Sequence, residues 1–135
     1  MVASIAIVED EPELRSLYCL MLKSRGYSVS FAASGVEEAV KAYEASPEKP
    51  SLVIMDVRLV DGTGIDAAEK IALADPGARF LFATADADAI CSLRVQGASG
   101  VLQKPFSLKD LLDSISRALS SPCPSSVWQY PESYC

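Results

Sequence analysis

The sequence contains no histidine. That absence excludes a Ser-His-Asp triad, a His-ligated zinc, and a phosphohistidine relay carried within the chain. Long apolar runs are missing too. A helix that crosses a bilayer needs about 20 such residues, and no stretch of that kind occurs, so no membrane contact is expected. The N-terminus lacks the basic-then-apolar pattern of a secretion signal. Clustered Lys and Arg, the footprint of a duplex-binding surface, are also lacking, and the net charge is −6. Direct nucleic-acid binding is therefore not expected. The four cysteines, Cys19, Cys91, Cys123 and Cys135, form no C-x-x-C pair. Cys19 and Cys91 fall in helix-like stretches, where cysteine acts as a small hydrophobe. The usage reads as that of a reduced, intracellular chain, and a cytoplasmic location is expected.

What remains is 135 residues, half of them apolar, enough for one domain with a buried core. Short β-type runs alternate with helical patterns. Ile5 to Val8 is the first strand. Pro12 opens a helix with Leu14, Leu17, Tyr18 and Met21 on one face, and Gly26 ends it. Ser28 to Ala32 is the second strand, and Ser34 with Glu37 predicts a capping box for the second helix. Leu52 to Met55, apolar at every position, is the pattern of a central strand covered on both faces. A loop, DVRLVDGTG, leads to a helix from about Ile65 to Ala74. Arg79 to Thr84 is the fourth strand, followed by a weaker helix from Asp88 to Gln96, ended by Gly97. Gly100 to Gln103 is the fifth strand. Ser107 and Asp110 cap the last helix, whose stripe is Leu108, Leu111, Leu112, Ile115 and Leu119. Five β-α units predict an α/β, doubly wound, five-stranded parallel sheet of flavodoxin-like order 2-1-3-4-5.

In such sheets ligands bind at the carboxyl ends of the strands. Four apolar runs stop there at a polar group: Glu9 and Asp10, then Asp56, then Thr84, then Lys104. Two unit charges 4 Å apart repel by about 4 kcal/mol at an effective dielectric of 20. Three crowded carboxylates therefore call for a shared proton or a hard divalent cation such as Mg²⁺. Lys104 and Thr84 add an ammonium and a hydroxyl, which together with a metal would clamp an anion of several oxygens. Phosphoryl transfer needs that kind of positioning and charge neutralisation, and a carboxylate can be its nucleophile. Asp56, ending the central strand, is the candidate. With no histidine in the chain, the donor would be a phosphohistidine on another protein or a small acyl phosphate.

The segments IVEDEP, MDVRLVDGTG, FATAD and LQKPF, in this order and spacing, resemble the receiver domain of bacterial two-component response regulators. The resemblance runs from about Ile5 to Leu119. It implies that Asp56 is the phosphoacceptor and that Glu9, Asp10, Asp56 and the backbone carbonyl of Arg58 hold Mg²⁺. It implies that Thr84 and Lys104 meet the phosphoryl group, and that the bond before Pro105 is cis. Arg58 and Asp86 occupy positions that border the phosphoryl group in the family, where an opposite-charge pair would slow its loss. The implied partners are a histidine kinase or histidine phosphotransfer protein. A downstream target would be met on the face of the fourth helix, fifth strand and fifth helix, including Ile90, Leu93, Val101 and the segment after Phe106. The chain would be a monomer or weak dimer.

Three positions depart from the family pattern. Glu9 stands where Asp is commoner, Val60 where Pro is usual, and Val101 where an aromatic ring usually swings inward. The expected division is a receiver domain over residues 1–120 and a Pro/Ser-rich flexible tail over 121–135, carrying Trp128 as a possible docking group. The readings kept beside a phosphorylated switch are a receiver-fold module that works without phosphorylation, and a small phosphatase-like α/β enzyme. The second wants D-x-D, which Arg58 breaks. A flavin module is disfavoured by Glu9-Asp10-Glu11, which would repel phosphate.

Overall fold

A computed structural model describes residues 3–86, 94–120 and 127–129. A five-stranded parallel sheet is built from β1 (Ser4–Val8), β2 (Ser28–Ala33), β3 (Leu52–Asp56), β6 (Phe80–Thr84) and β8 (Ala98–Gln103). Its order, β2-β1-β3-β6-β8, is the doubly wound order expected from the repeating units. Helices α1 (Pro12–Ser24) and α4 (Leu108–Ser120) cover one face. Helices α2 (Val36–Ala45) and α3 (Gly64–Ala74) cover the other. Two short ribbons complete the fold: β4 (Arg58–Leu59) with β5 (Gly62–Thr63), and β7 (Arg94–Gln96) with β9 (Val127–Gln129).

Alternation along β3 divides the core. Leu52 and Ile54 join Tyr18, Leu22, Leu81, Leu111 and Ile115 on one face. Val53 and Met55 join Ala39, Tyr43, Ala67, Ile71 and Phe82 on the other. Side chains of successive strand residues point to opposite faces, so a strand apolar throughout must be covered twice. Every residue of β3 is buried, including the terminal Asp56.

Helix ends follow the local signals in most places. Pro12 occupies the first turn of α1. At its far end Gly26 takes φ +88°, its N–H donates to the Lys23 carbonyl, and the Tyr27 N–H donates to that of Leu22. This is the two-bond motif that closes helices on a left-handed glycine. The Asp110 N–H donates to Ser107 Oγ at 3.0 Å and the Ser107 N–H to Asp110 Oδ2 at 3.2 Å, the reciprocal cap expected for the last helix.

Three readings need correction. Leu14, Tyr18 and Met21 pack on the core as expected of α1, but Leu17 is 47% exposed and Leu22 is the fully buried residue of that face. The capping box at Ser34 does not form with Glu37: Ser34 bonds Glu38, Gly35 is the N-cap, and Glu37 pairs outward with Lys41. Arg94–Gln96 forms a strand, not the end of a helix, because it finds an antiparallel partner in Val127–Gln129. Those three residues belong to the stretch expected to be flexible. The start of the weak helix, with Ile90 and Leu93, lies outside the described residues, as does the remainder of the tail.

Candidate functional site

β1, β3, β6 and β8 run parallel, so their carboxyl ends share one edge. Glu9 follows β1 and is 2% exposed; Asp56 ends β3 at 8% and Thr84 ends β6 at 2%. Asp10 stands at the solvent side of the same edge. Lys104 follows β8 directly, and its N–H donates to the Thr84 carbonyl at 2.8 Å, which fixes where its side chain starts. The peptide bond from Lys104 to Pro105 is cis.

From there the ammonium reaches back across the sheet. Lys104 Nζ lies 2.8 Å from Glu9 Oε1 and 3.1 Å from Asp56 Oδ2. One cation thus ties the first, third and last sheet strands. Burial pulls its pKa down, but the bond to Glu9 and the charge of Asp56 outweigh that and hold it above the usual lysine value. Glu9 is held at both ends, since Oε2 accepts the Glu11 N–H at 3.3 Å. Carboxylate oxygens of Glu9, Asp10 and Asp56 come within 4.8 Å of one another. A hydrogen bond shared with Glu9, then partial burial, then the Glu9 charge raise the Asp10 pKa. Three carboxylates with oxygens this close are a donor set suited to a hard divalent cation. Three carboxylates stand against one ammonium here, so positive charge is still wanted.

The cleft above these groups holds about 420 Å³ and is lined by Asp10, Asp56, Arg58, Thr84, Ala85, Asp86 and Lys104. Thr84 Oγ1 accepts the Asp86 N–H at 3.0 Å, so its hydroxyl oxygen is held toward the loop. Arg58 and Asp86 form an ion pair across the rim. The loop after Asp56 folds back on it tightly. A Cβ on Gly64 would lie 2.1 Å from the Asp56 carbonyl oxygen, so only glycine fits. The Gly64 N–H donates to the Val57 carbonyl at 2.8 Å. Val101, at the position of the usual aromatic ring, is half-buried against the β6 core and pairs with Phe82.

The pattern did not point to Asp61. Its place in the chain is the loop between β4 and its partner β5, ahead of α3. Yet its Oδ1 accepts the Val36 N–H at 2.7 Å and Oδ2 the Glu37 N–H at 3.2 Å, capping α2. These backbone bonds lower its pKa. Its partners lie 25 and 24 residues upstream, so no local pattern announces the bond. The cap holds the loop that carries Arg58, where Val60 offers no fixed φ.

The response regulator receiver domain family matches residues 5–116. The chain belongs to this receiver-domain family. It is 38% identical over 117 residues to the transcriptional regulatory protein PdtaR of Mycobacterium tuberculosis, covering 86% of this chain and 56% of that protein. It therefore spans about half the length of such curated relatives. Chemotaxis protein CheY of Thermotoga maritima is 28% identical, over 84% of this chain and 94% of that one. Among solved structures, the non-phosphorylated HemR receiver domain of Leptospira biflexa superposes with a TM-score of 0.75 at 33% identity, covering 90% of this chain and 98% of that one. Response regulator TrrA of Thermotoga maritima, in complex with Mg²⁺ and BeF, superposes with a TM-score of 0.77 at 26% identity, over 87% and 99% of the two chains. Among the described residues, no helix is long and apolar enough to cross a membrane.

Proposed function

We propose that this receiver domain is a phosphoacceptor switch. An Asp56 carboxylate oxygen attacks the phosphorus of a phosphohistidine on a histidine kinase or histidine phosphotransfer protein. The P–O bond forms as the P–N bond breaks, and the electron pair returns to the departing imidazole. Glu9, Asp10, Asp56 and the Arg58 carbonyl would hold Mg²⁺, which supplies positive charge to the phosphoryl oxygens when bound. Lys104 stays within reach of Asp56 and neutralises the product. The Thr84 hydroxyl leaves the Asp86 N–H and donates to a phosphoryl oxygen. The observation that carries this reading is Lys104 Nζ between Glu9 and Asp56, at 2.8 and 3.1 Å, beside an acid trio gathered within 4.8 Å.

Signalling would follow by population shift at the face of β8 and α4, acting on a downstream protein and not on nucleic acid directly. The domain would work in the cytoplasm as a monomer or weak dimer, with residues 1–120 as the switch. Self-catalysed gain and loss of phosphate would be its only chemistry. The Arg58–Asp86 pair across the rim would slow hydrolysis; a phosphoryl half-life unchanged in Arg58→Ala would remove that role.

Incubation with Mg²⁺ and acetyl phosphate, followed by intact mass, tests the whole reading. One phosphoryl group should be gained by the wild type and none by Asp56→Asn. Absence of any gain, with acetyl phosphate or phosphoramidate, would favour a receiver that works unphosphorylated. Val101 supports that second reading, since no aromatic ring is there to follow Thr84.

A further inference from the structure

A second polar-backbone feature lies at the opposite, amino edge of the sheet. Arg94–Gln96 pairs antiparallel with Val127–Gln129: Arg94 faces Gln129, Val95 faces Trp128, and Gln96 faces Val127. The ribbon runs with β7 beside α3 and β9 beside β8.

Its two strands are delivered to the same place. β7 turns into β8 at Gly97, which takes φ +87°. A Cβ there would lie 2.3 Å from the Ala78 carbonyl oxygen, and the Phe80 N–H donates to the Gly97 carbonyl at 2.8 Å. The end of β7 is therefore pinned beside the start of β6. α4 ends beside it, because Arg79 Nη1 donates to the carbonyls of Ala118 at 3.2 Å and Leu119 at 3.5 Å. Residues 121–126 alone separate α4 from β9. Six extended residues reach at most about 20 Å, so β9 returns to a nearby edge within its own chain.

We propose that Val127–Gln129 is a built-in occupant of the β7 edge: an intramolecular strap that a target protein must displace to reach the β7–β8 face. A free antiparallel edge is a site for strand addition by an extended peptide, and here the tail supplies that peptide. Two short strands alone are marginal in water, so the strap is displaceable. A segment that is paired when strapped and unpaired when the strap leaves is a two-state element that a partner can bias. Only the placing of the target face rests on the reading above; the strap itself does not.

Hydrogen exchange on the full chain tests this. Trp128→Pro removes a backbone N–H from β9 and leaves the sheet and the acidic edge untouched. Amides of Arg94–Gln96 should exchange at least about tenfold faster in the variant, with β1 and β3 unchanged. A synthetic peptide of residues 121–135, added to the variant, should slow them again. Equal exchange in the two chains overturns the proposal, as does a peptide without effect. Protection in the wild type that falls on dilution would mean pairing between two copies, which also overturns it. None of these readouts needs phosphate on Asp56. Failure of phosphoryl uptake would leave the strap standing, and an unprotected β7 would leave the Asp56 chemistry standing.

Discussion

The two ends of the sheet use similar residues to opposite ends. At the amino edge, Lys49, Arg79, Tyr43 and Asp75 line a cavity of about 560 Å³. Their polar atoms are spent on structure. Lys49 Nζ donates to the carbonyls of Tyr43 at 2.6 Å and Glu44 at 3.1 Å, at the end of α2. Arg79 holds the end of α4. The Tyr43 hydroxyl donates to Asp75 at 2.5 Å, joining α2 to the end of α3. Cations meet helix carbonyls there, where the helix dipole favours them. At the carboxyl edge the cation meets carboxylates instead: Glu9 and Asp56 share it, and Asp10 stands beside them. One edge is neutralised and serves as a set of bolts. The other is left short of positive charge and open to solvent, which is the condition for binding a metal and a phosphoryl group.

The contrast is most sharply broken at Lys104. Lys104→Met leaves the buried Glu9 and Asp56 without their counter-ion, and removing one partner of a buried pair costs about 3–5 kcal/mol. Chemical denaturation should show a loss of that order, and Mg²⁺ should restore more stability to the variant than to the wild type. Stability unaffected by the substitution would mean the carboxyl edge is not charge-starved.

The amino edge should respond in the reverse sense. Tyr43→Phe removes one hydrogen bond to a carboxylate, a loss of about 1–3 kcal/mol. Phosphoryl uptake from acetyl phosphate should stay at the wild-type rate. A slowed uptake would show that the two edges are coupled through α2.

The smallest effect is expected at Asp61, which is exposed but bolts the loop of the acidic edge to α2. Its folded pKa lies below the ordinary 3.8. The cap's contribution is therefore complete above the unfolded value and is lost as pH falls through the lower folded one. The melting-temperature difference between wild type and Asp61→Asn should be constant above about pH 5 and shrink toward pH 2. A difference independent of pH would show that the carboxylate charge adds nothing to the cap.

The sheet order was legible because β3 is apolar on both faces and glycine, proline and capping residues punctuate each unit. The site was legible for a simple reason: parallel strands put all their last residues on one edge, so four strand ends name it. Local pattern failed where a partner is remote. Glu37 looked like the cap of α2 because it lies three residues from Ser34, yet Asp61 caps that helix from the β3–α3 loop. Nothing local marks the need for Gly64, which is room beside the Asp56 carbonyl. Arg94–Gln96 carried a helical pattern, and pairing with a distant strand overrode it. The misses at α2 and at Arg94–Gln96 are contacts over long sequence separation, the kind that periodicity cannot report.

The lysine clasp also sets a time in the life of the chain. Glu9 and Lys104 are 95 residues apart, and Asp56 and Lys104 are 48 apart. A nascent polypeptide that has emerged only as far as α3 carries its acids but not the base that balances them. The acidic edge stays unbalanced in such a chain until the last sheet strand has left the ribosome and docked, so a half-made domain has the acids of its cleft without the clasp that orders them.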